Sequence, residues 1–184
     1  RKSNTLYFFR RDPGAPAALV ELHLTPLLAD SAAGTLKDPA AYERVIQLPA
    51  DLHVNGGSGL DAEEKIMYVG SDLSTPEHPA ATSPASPKVT QHPSGLRAID
   101  LATGQISNVA DVPFTIGHIQ GNPWVPGEVL FCHETGGDAP QRMWYATRDA
   151  SGAWTHKPLY PETADEWITH ECVIDKDHVS FNIM

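Results

Sequence analysis

GHIQGNPWVPGEVLFCHETGGDAPQRMW, residues 117–144, is the stretch that decides the fold of this chain. Its apolar centre from Val129 to Phe131 lies between two turn signals, Pro126-Gly127 and Gly136-Gly137, so the stretch predicts a meander of antiparallel strands. In such a meander the start of the first strand, the end of the second and the start of the third lie at the same edge of the sheet. Four polar residues occupy those three places: His118, His133, Glu134 and Arg142. We therefore expect their side chains to converge.

Strand patterns continue on both sides of this meander, as short apolar segments separated by Gly, Pro and Asp turns. The predicted strands are Leu6–Phe9, Ala18–Leu24, Tyr42–Leu48, Ile66–Gly70, Leu96–Asp100, Gln105–Val109, Met143–Thr147, Trp154–Leu159, one that begins near Ile168, and His178–Ile183. Residues 25–39 show no clear period and predict a loop, with a helical turn at Pro39–Tyr42. The chain is therefore predicted to be all-β.

The strand pattern repeats as a unit, which favours a β-propeller over a β-sandwich, the alternative. Inner strands open near Gly57, His118 and His170, at intervals somewhat longer than the usual ~40–50 residues per blade. The glycine run at 56–59 fits the crowding of inner strands around a central axis. We therefore predict a β-propeller with about three blades represented in this chain.

Residues 71–95 form a Pro/Ser-rich insertion whose composition cannot supply a packed core. Two interpretations are open: a lid whose Gln91-His92 pair reaches the site, or a solvated loop. Because about three blades cannot close a ring that needs four to eight, we expect residues 1–184 to be a single but incomplete propeller domain.

The composition excludes some classes of partner. The formal net charge of −10 at pH 7 speaks against nucleic acid, because phosphate binding requires a basic surface. An acidic sugar is compatible with this charge, since a few basic groups in one cleft can hold a uronate. No apolar run approaches the ~20 residues of a membrane span, so no membrane partner is predicted.

The two cysteines, Cys132 and Cys172, are too few for a disulfide scaffold and are expected to be buried free thiols. Reduced cysteines favour the cytoplasm, but a removed leader peptide would leave the same sequence. The localisation is therefore open between cytoplasmic and periplasmic, and the sequence does not indicate an oligomeric state.

Four motifs in a fixed order carry a resemblance to a known family. They are Gly117-His118, Phe131-Cys-His-Glu-x-Gly136, Gln141-Arg-Met-Trp144 and Thr169-His-Glu171. In this order they resemble the oligogalacturonate lyase family (polysaccharide lyase family 22), whose members are seven-bladed β-propellers that degrade pectin fragments. The resemblance covers the last third of the chain, with weaker support back to Val54.

The resemblance implies a metal-assisted β-elimination on oligogalacturonides or related short uronides. In the family a divalent metal, typically Mn²⁺, is held by histidines and a glutamine; Ca²⁺ and Mg²⁺ are alternatives. The histidine of the Thr-His-Glu motif resembles one of those ligands, which assigns His170 to the metal. The other family ligands come from a later blade beyond Met184, so the implied metal site is incomplete in this chain.

The chemistry of β-elimination suggests roles for the remaining residues. The reaction needs a base to remove the proton at C5 and a positive charge to stabilise the enolate-like intermediate. His118 is the first choice for the base, and His133 the second, as base or as a contact to the sugar. Arg142 is expected to pair with a carboxylate. Glu134 is expected to bind substrate, orient His133 or hold Arg142, and Gln120 to bind substrate or the local backbone.

Other interpretations remain open. His133 and Glu134 could simply end a strand, Arg142 could form a surface ion pair, and the tryptophans 124, 144 and 167 are expected to pack within blades. The chain departs from the family at Cys172-Val173 and after Glu134. The alternative function is therefore a non-catalytic propeller that binds carbohydrate or protein. A hydrolase is a weaker hypothesis, because Glu134, Asp138 and Glu171 form no obvious pair.

Overall fold

The computed structural model describes residues 3–74, 81–82, 90–135 and 141–184. The chain is mostly β-strand, as predicted, and divides into two compact units, residues 1–52 and 53–184. In the described residues, no helix has the length and apolar character needed to cross a membrane. In chain order the elements are β1 (Thr5–Arg10), β2 (Ala18–His23), α1 (Leu24–Ala33), a 3₁₀ turn (Pro39–Ala41), β3 (Glu43–Gln47), β4 (His53–Leu60), β5 (Ile66–Asp72), β6 (Ala81–Thr82), β7 (Thr90–Gln91), β8 (Ser94–Asp100), β9 (Ile106–Val112), β10 (Ile116–Gly121), β11 (Glu128–His133), β12 (Met143–Arg148), β13 (Trp154–Pro158), β14 (Ile168–Val173) and β15 (Val179–Ile183).

The first unit contains a three-stranded antiparallel sheet in the order β1-β2-β3. The central strand β2 pairs with β1 through Phe8 opposite Val20, and with β3 through Val20 opposite Val45. Leu19 and Val20 are fully buried, so the apolar segment of β2 forms the centre of this unit. The two strands predicted at the start of the chain, Leu6–Phe9 and Ala18–Leu24, are therefore confirmed as β1 and β2.

The prediction of a loop over residues 25–39 was wrong, because Leu24–Ala33 forms the helix α1. Pro26 lies in the first turn, where a proline removes no intrahelical hydrogen bond, and the segment is rich in Ala and Leu. Gly34 ends the helix in a left-handed conformation, and its N–H donates to carbonyl oxygens of the last turn. The helix buries none of its residues, which explains why its sequence lacks a clear hydrophobic period.

The second unit contains two four-stranded antiparallel meanders, β4-β5-β8-β9 and β10-β11-β12-β13, and the two-stranded sheet β14-β15. The meanders pack side by side, with inner strand β10 beside β4 and outer strand β13 beside β9. Their shared core includes Tyr68, Leu96 and Phe131. Repeated meanders stacked inner strand to inner strand are the arrangement of propeller blades, so the predicted fold class is confirmed.

The two inner strands approach each other through glycines. A Cβ atom built at Gly121 would lie 2.2 Å from the carbonyl oxygen of Leu60, and one at Gly59 would lie 2.8 Å from the backbone nitrogen of Gly121. Neither position can accept a side chain without movement of the backbone. The predicted crowding of inner strands is therefore present at Gly59.

The insertion predicted at residues 71–95 is shorter than expected, because both of its ends belong to strands. Ser71 and Asp72 belong to β5, while Ser94 and Gly95 belong to β8. The short strands β6 and β7 pair between them, and residues 75–80 and 83–89 lie outside the described part of the chain. His92 is buried, which contradicts the interpretation of this end of the insertion as a solvated loop.

Candidate active site

A bulge interrupts each of the three inner strands at the same place. In β10 the regular pairing breaks between Gly117 and Gln120, in β14 between Thr169 and Cys172, and in β4 between Asn55 and Ser58. Each bulge contains a residue with positive φ: Gly57 at 98°, His118 at 49° and His170 at 55°. These are the three positions at which the sequence predicts equivalent openings of inner strands.

His118 occupies a conformation that residues with a Cβ atom rarely adopt. Such strain persists only where the surrounding structure holds it, and it is concentrated at functional sites. The side chain of His118 is half exposed, at 49% of its maximal accessible area. The bulge therefore presents an accessible imidazole at the edge of the sheet.

Glu171 lies behind this imidazole and binds several of the predicted site residues. Its side chain is completely buried, and Oε1 lies 2.8 Å from His118 Nδ1. Arg142 donates from Nε to Oε2 at 3.3 Å and from Nη2 to Oε1 at 3.2 Å. The thiol of Cys132 donates to Oε1 at 2.7 Å. The motif Thr169-His-Glu171 indicates no role for Glu171, because its partners lie on other strands.

Glu134 completes the group on its solvent side. One of its carboxylate oxygens lies 3.5 Å from His118 Nε2, and the other lies 3.5 Å from Arg142 Nη1. The buried guanidinium of Arg142 therefore lies between two carboxylates, so it is not a surface ion pair. The structure brings together His118, Glu134 and Arg142, as the meander predicts.

The protonation states follow from these contacts. Burial acts to raise the pKa of Glu171, but hydrogen bonds from Cys132 and Arg142 outweigh it and hold that pKa below its ordinary value. Burial acts to lower the pKa of Arg142, but the Glu171 hydrogen bond outweighs it and the pKa is raised. Burial, with the charge of Glu171, raises the pKa of the Cys132 thiol. The group therefore consists of an ionised pair with a protonated thiol.

His133 does not join this group. Because successive side chains of a strand point to opposite faces, Cys132 faces Glu171 while His133 faces the other side of the sheet. There its ring stacks on Phe114 with the ring centroids 4.3 Å apart. Burial lowers the pKa of His133, which favours the neutral ring. The structure thus places the second candidate for the base in a packing position.

The side-chain amide of Gln120 binds the backbone of the strand β14 in the next sheet. Its Nε2 donates to the backbone carbonyl of Glu171 at 2.7 Å, and its Oε1 accepts from the backbone N–H of Val173 at 3.2 Å. The amide therefore fixes β14 against β10. The expected bond to the local turn backbone was wrong in its partner, because the backbone that Gln120 binds belongs to β14.

Two further residues support the site: Gln91 at the end of β7 and Glu162 in the loop before β14. Gln91 donates to the backbone carbonyl of Glu134 at 2.8 Å, so the end of the insertion does reach the site. Oε1 of Glu162 accepts from the backbone N–H groups of Arg142, at 2.7 Å, and Met143, at 3.1 Å. Nothing in the sequence marks Glu162, because its role depends on where the loop before β14 returns.

The family resemblance implies a metal, and a manganese site requires several ligands, mainly oxygen donors. His118, Cys132 and Glu171 have ligand atoms within 4.8 Å of one another. However, the Cys132 thiol is protonated, and the guanidinium of Arg142 already binds both carboxylate oxygens of Glu171. A thiol is also a poor ligand for Mn²⁺, which prefers oxygen donors. This group therefore does not fit a manganese site.

His170 is exposed, and it belongs to no cluster of three ligating side chains within the described ranges. The described residues by themselves do not build the metal centre that the resemblance implies. The expectation that both cysteines are buried holds for Cys132 and is wrong for Cys172, which is exposed; both are free thiols.

The tryptophans also divide into two groups. Trp144 packs against Phe114 and Phe131, as expected for a residue within a blade. Trp124 and Trp167 are about half exposed, at 50% and 45%, so the expectation that they pack within blades was wrong for these two.

Comparison with known proteins identifies relatives of the fold. No protein-family model matches the chain, and no curated protein matches its sequence. The structure of an oligogalacturonate lyase from Vibrio parahaemolyticus aligns with a TM-score of 0.67 at 18% identity, over 97% of this chain and 43% of that one. An oligogalacturonate lyase in complex with manganese aligns with a TM-score of 0.61 at 20% identity, over 90% of this chain and 40% of that one. At these identities the likeness shows a shared fold, and the chain spans less than half the length of either structure.

Proposed function

We propose that this chain is part of a lyase that cleaves oligogalacturonides or related short uronides by β-elimination. The observation that carries the proposal is the position of His118, a half-exposed imidazole held in a left-handed conformation beside a buried network of charges. The fold shared with two oligogalacturonate lyases supports the same substrate class.

In this proposal His118 removes the proton at C5 of the uronate while the C4 oxygen leaves. An imidazole suits this step, because its ordinary pKa lies near neutrality and general catalysis of this kind contributes ~10²–10⁴-fold. Nδ1 of His118 faces the buried carboxylate of Glu171, so Nε2 is the nitrogen that meets the substrate. A bound uronate would take the place of the loose 3.5 Å contact between Nε2 and Glu134.

The group has an unfavourable charge for an anionic substrate. Glu134 and Glu171 together outweigh the single positive charge of Arg142. Arg142 is buried and occupied, so its role is to compensate these carboxylates and not to bind the uronate directly. The reaction therefore requires a further cation, and we propose a divalent metal, manganese in the first instance. His170 is the one ligand that we assign to it from the described residues.

The test is the rise in ultraviolet absorbance of the unsaturated uronate, measured on short uronides with the full-length protein. Replacement His118→Asn removes the base at a position where asparagine tolerates positive φ, so the fold should be retained. We expect a loss of ~10²–10⁴-fold in kcat/KM. Prior treatment with a chelator should also abolish activity, and Mn²⁺ should restore it.

His133→Asn is the matched control, since this histidine lies one strand away on the opposite face. We expect its kcat/KM to remain within about threefold of the wild type, because the substituted ring does not touch the site. Full activity of His118→Asn, or an equal loss in His133→Asn, would contradict the assignment of the base. Tight binding of uronides without any elimination by the wild type would instead support the non-catalytic alternative.

A further inference from the structure

We propose that Glu171 is the positioning residue of this site. Its carboxylate accepts a hydrogen bond from Nδ1–H of His118, which leaves Nε2 of the ring as the proton acceptor. The orientation of the His118 ring can be tested without any enzymatic activity. The effect of Glu171 on kcat, in contrast, rests on the proposed lyase function.

The carboxylate of Glu171 binds side chains of the neighbouring sheet. Glu171 belongs to β14, but its side-chain partners His118, Cys132 and Arg142 lie on β10, on β11 and just before β12. Both carboxylate oxygens are engaged, and the side chain has no accessible surface. A buried carboxylate costs free energy unless charged and hydrogen-bonding partners compensate it, and here they do. Glu171 is thus the common acceptor of the cluster.

This arrangement determines which nitrogen of His118 carries the proton. Both oxygens of Glu171 accept hydrogen bonds from the guanidinium of Arg142, so Oε1 is an acceptor and Nδ1 of His118, at 2.8 Å, is the donor. In the neutral ring the other nitrogen, Nε2, then has the free lone pair. The ring orientation and the tautomer are both set by one contact.

The backbone of Glu171 is held as firmly as its side chain. Gln120 binds the carbonyl of Glu171 and the N–H of Val173, which fixes β14 on both sides of Cys172. Glu171 also follows His170, the left-handed residue of the bulge, and a bulge re-aims the side chain next to it. The bulge of β14 therefore aims Glu171 at the neighbouring sheet, while the equivalent bulge of β10 presents His118 to it.

An Arg–Glu pair with a purely structural role would stabilise the fold without affecting the imidazole. The distinguishing measurement is therefore made on the ring itself. We suggest nitrogen-15 NMR of the histidine side chains at neutral pH, with the signals of His118 assigned from their loss in His118→Asn. The wild type should show His118 protonated at Nδ1.

Two substitutions separate position from charge. Glu171→Gln keeps the shape and removes the charge, whereas Glu171→Asp keeps the charge and retracts it by one methylene group. In both variants we expect the Nε2-protonated form of His118 to increase. Glu171→Asp should remain folded, because Arg142 keeps a carboxylate partner, and thermal unfolding will verify this.

Glu128→Gln is the matched control. Glu128 is also a strand carboxylate with side-chain hydrogen bonds, from Tyr145 and Asn122, but it lies at the opposite end of β11. This variant should leave the His118 signals unchanged.

The kinetic consequence is a fall in kcat of ~10–100-fold in Glu171→Asp with KM nearly unchanged, as for other groups that orient a catalytic residue. His118 signals that do not respond to either substitution would overturn the proposal, whatever the activity. A change of tautomer in a protein that shows no elimination supports the positioning by Glu171 and overturns only the proposed lyase function. A His118 signal that shifts on addition of Zn²⁺ to the wild type would also overturn the positioning by Glu171, because it would show that the cluster of His118, Cys132 and Glu171 binds metal.

Discussion

The inner strands β4 and β10 make the same bulge with different residues. Gly57 adopts φ 98° in β4, and His118 adopts φ 49° in β10. The left-handed conformation costs a glycine little, whereas it costs other residues roughly 1–2 kcal/mol. The fold therefore requires the conformation in both strands, and of these two positions only His118 carries the cost. The difference supports the proposed role of His118 as the base, since the residue adds no evident stability at this position.

Two histidines, His92 beside the sheet of β4 and His118 in the sheet of β10, also differ in their surroundings. His92, before β8, is buried, with Asn55 on Nε2 at 3.0 Å and Asp72 on Nδ1 at 3.3 Å. His118 has one ring nitrogen bound closely by a buried carboxylate and the other near the surface. The ring of His92 is thus held by polar partners on both nitrogens in the interior, while the ring of His118 is half exposed.

The largest expected effect on stability comes from a substitution at the close approach between the inner strands β4 and β10. Gly121→Ala would place a Cβ atom 2.2 Å from the carbonyl oxygen of Leu60, a backbone atom that cannot move alone. We expect a loss of about 2–3 kcal/mol in the free energy of unfolding, as for other overpacked sites. Urea unfolding followed by tryptophan fluorescence measures this loss.

Gly117→Ala, in the same strand, is the control for that experiment. Its Cβ atom would meet the side chain of Glu134, with the nearest carboxylate oxygen at 3.2 Å, and that side chain can shift. The cost should stay below about 1 kcal/mol. Equal destabilisation by the two variants would show that the close approach of the inner strands does not limit the packing.

A smaller effect is expected from exchanging residues at the bulge itself. Gly57→Ala should destabilise the protein by about 1–2 kcal/mol through backbone strain alone, because the nearest atom to its Cβ is 3.9 Å away. Conversely, His118→Gly should be about 1 kcal/mol more stable than His118→Ala, since both lose the imidazole and only glycine relieves the strain.

Both differences are read from urea unfolding curves. The comparison between Gly57 and His118 would fail if alanine and glycine were equally stable at either position. In that case the bulges would not share one backbone requirement.

The smallest expected effect is a pH dependence of stability that comes from Glu171, the β14 carboxylate beside His118. The pKa of Glu171 is lower in the folded protein than its ordinary value of 4.5, so its contribution to stability is present above that value. This contribution is lost as the pH falls through the lower pKa of the folded state. The stability difference between the wild type and Glu171→Gln should therefore shrink as the pH is lowered from about 7 to about 3. A difference that is constant over this range would show that the charge of Glu171 contributes nothing to folding.

Much of the fold could be predicted because strands and turns are encoded locally. The alternation of apolar residues and the Gly and Pro turns predicted the meander around Val129–Phe131, and β11 is found there. The helix α1 was missed because it buries no residue and so leaves no periodic pattern. The convergence of His118, Glu134 and Arg142 was predictable, since antiparallel pairing places strand ends at one edge.

The sequence by itself determined an acidic, all-β chain with repeated inner strands, because turn residues and alternating apolar positions act over a few neighbours. Only the tertiary structure decided which side chains act together. It turned His133 onto Phe114 and brought Glu171 from β14 to His118 on β10. The physical reason is that strand register and bulges, which depend on pairing between distant segments, determine the face to which each side chain points.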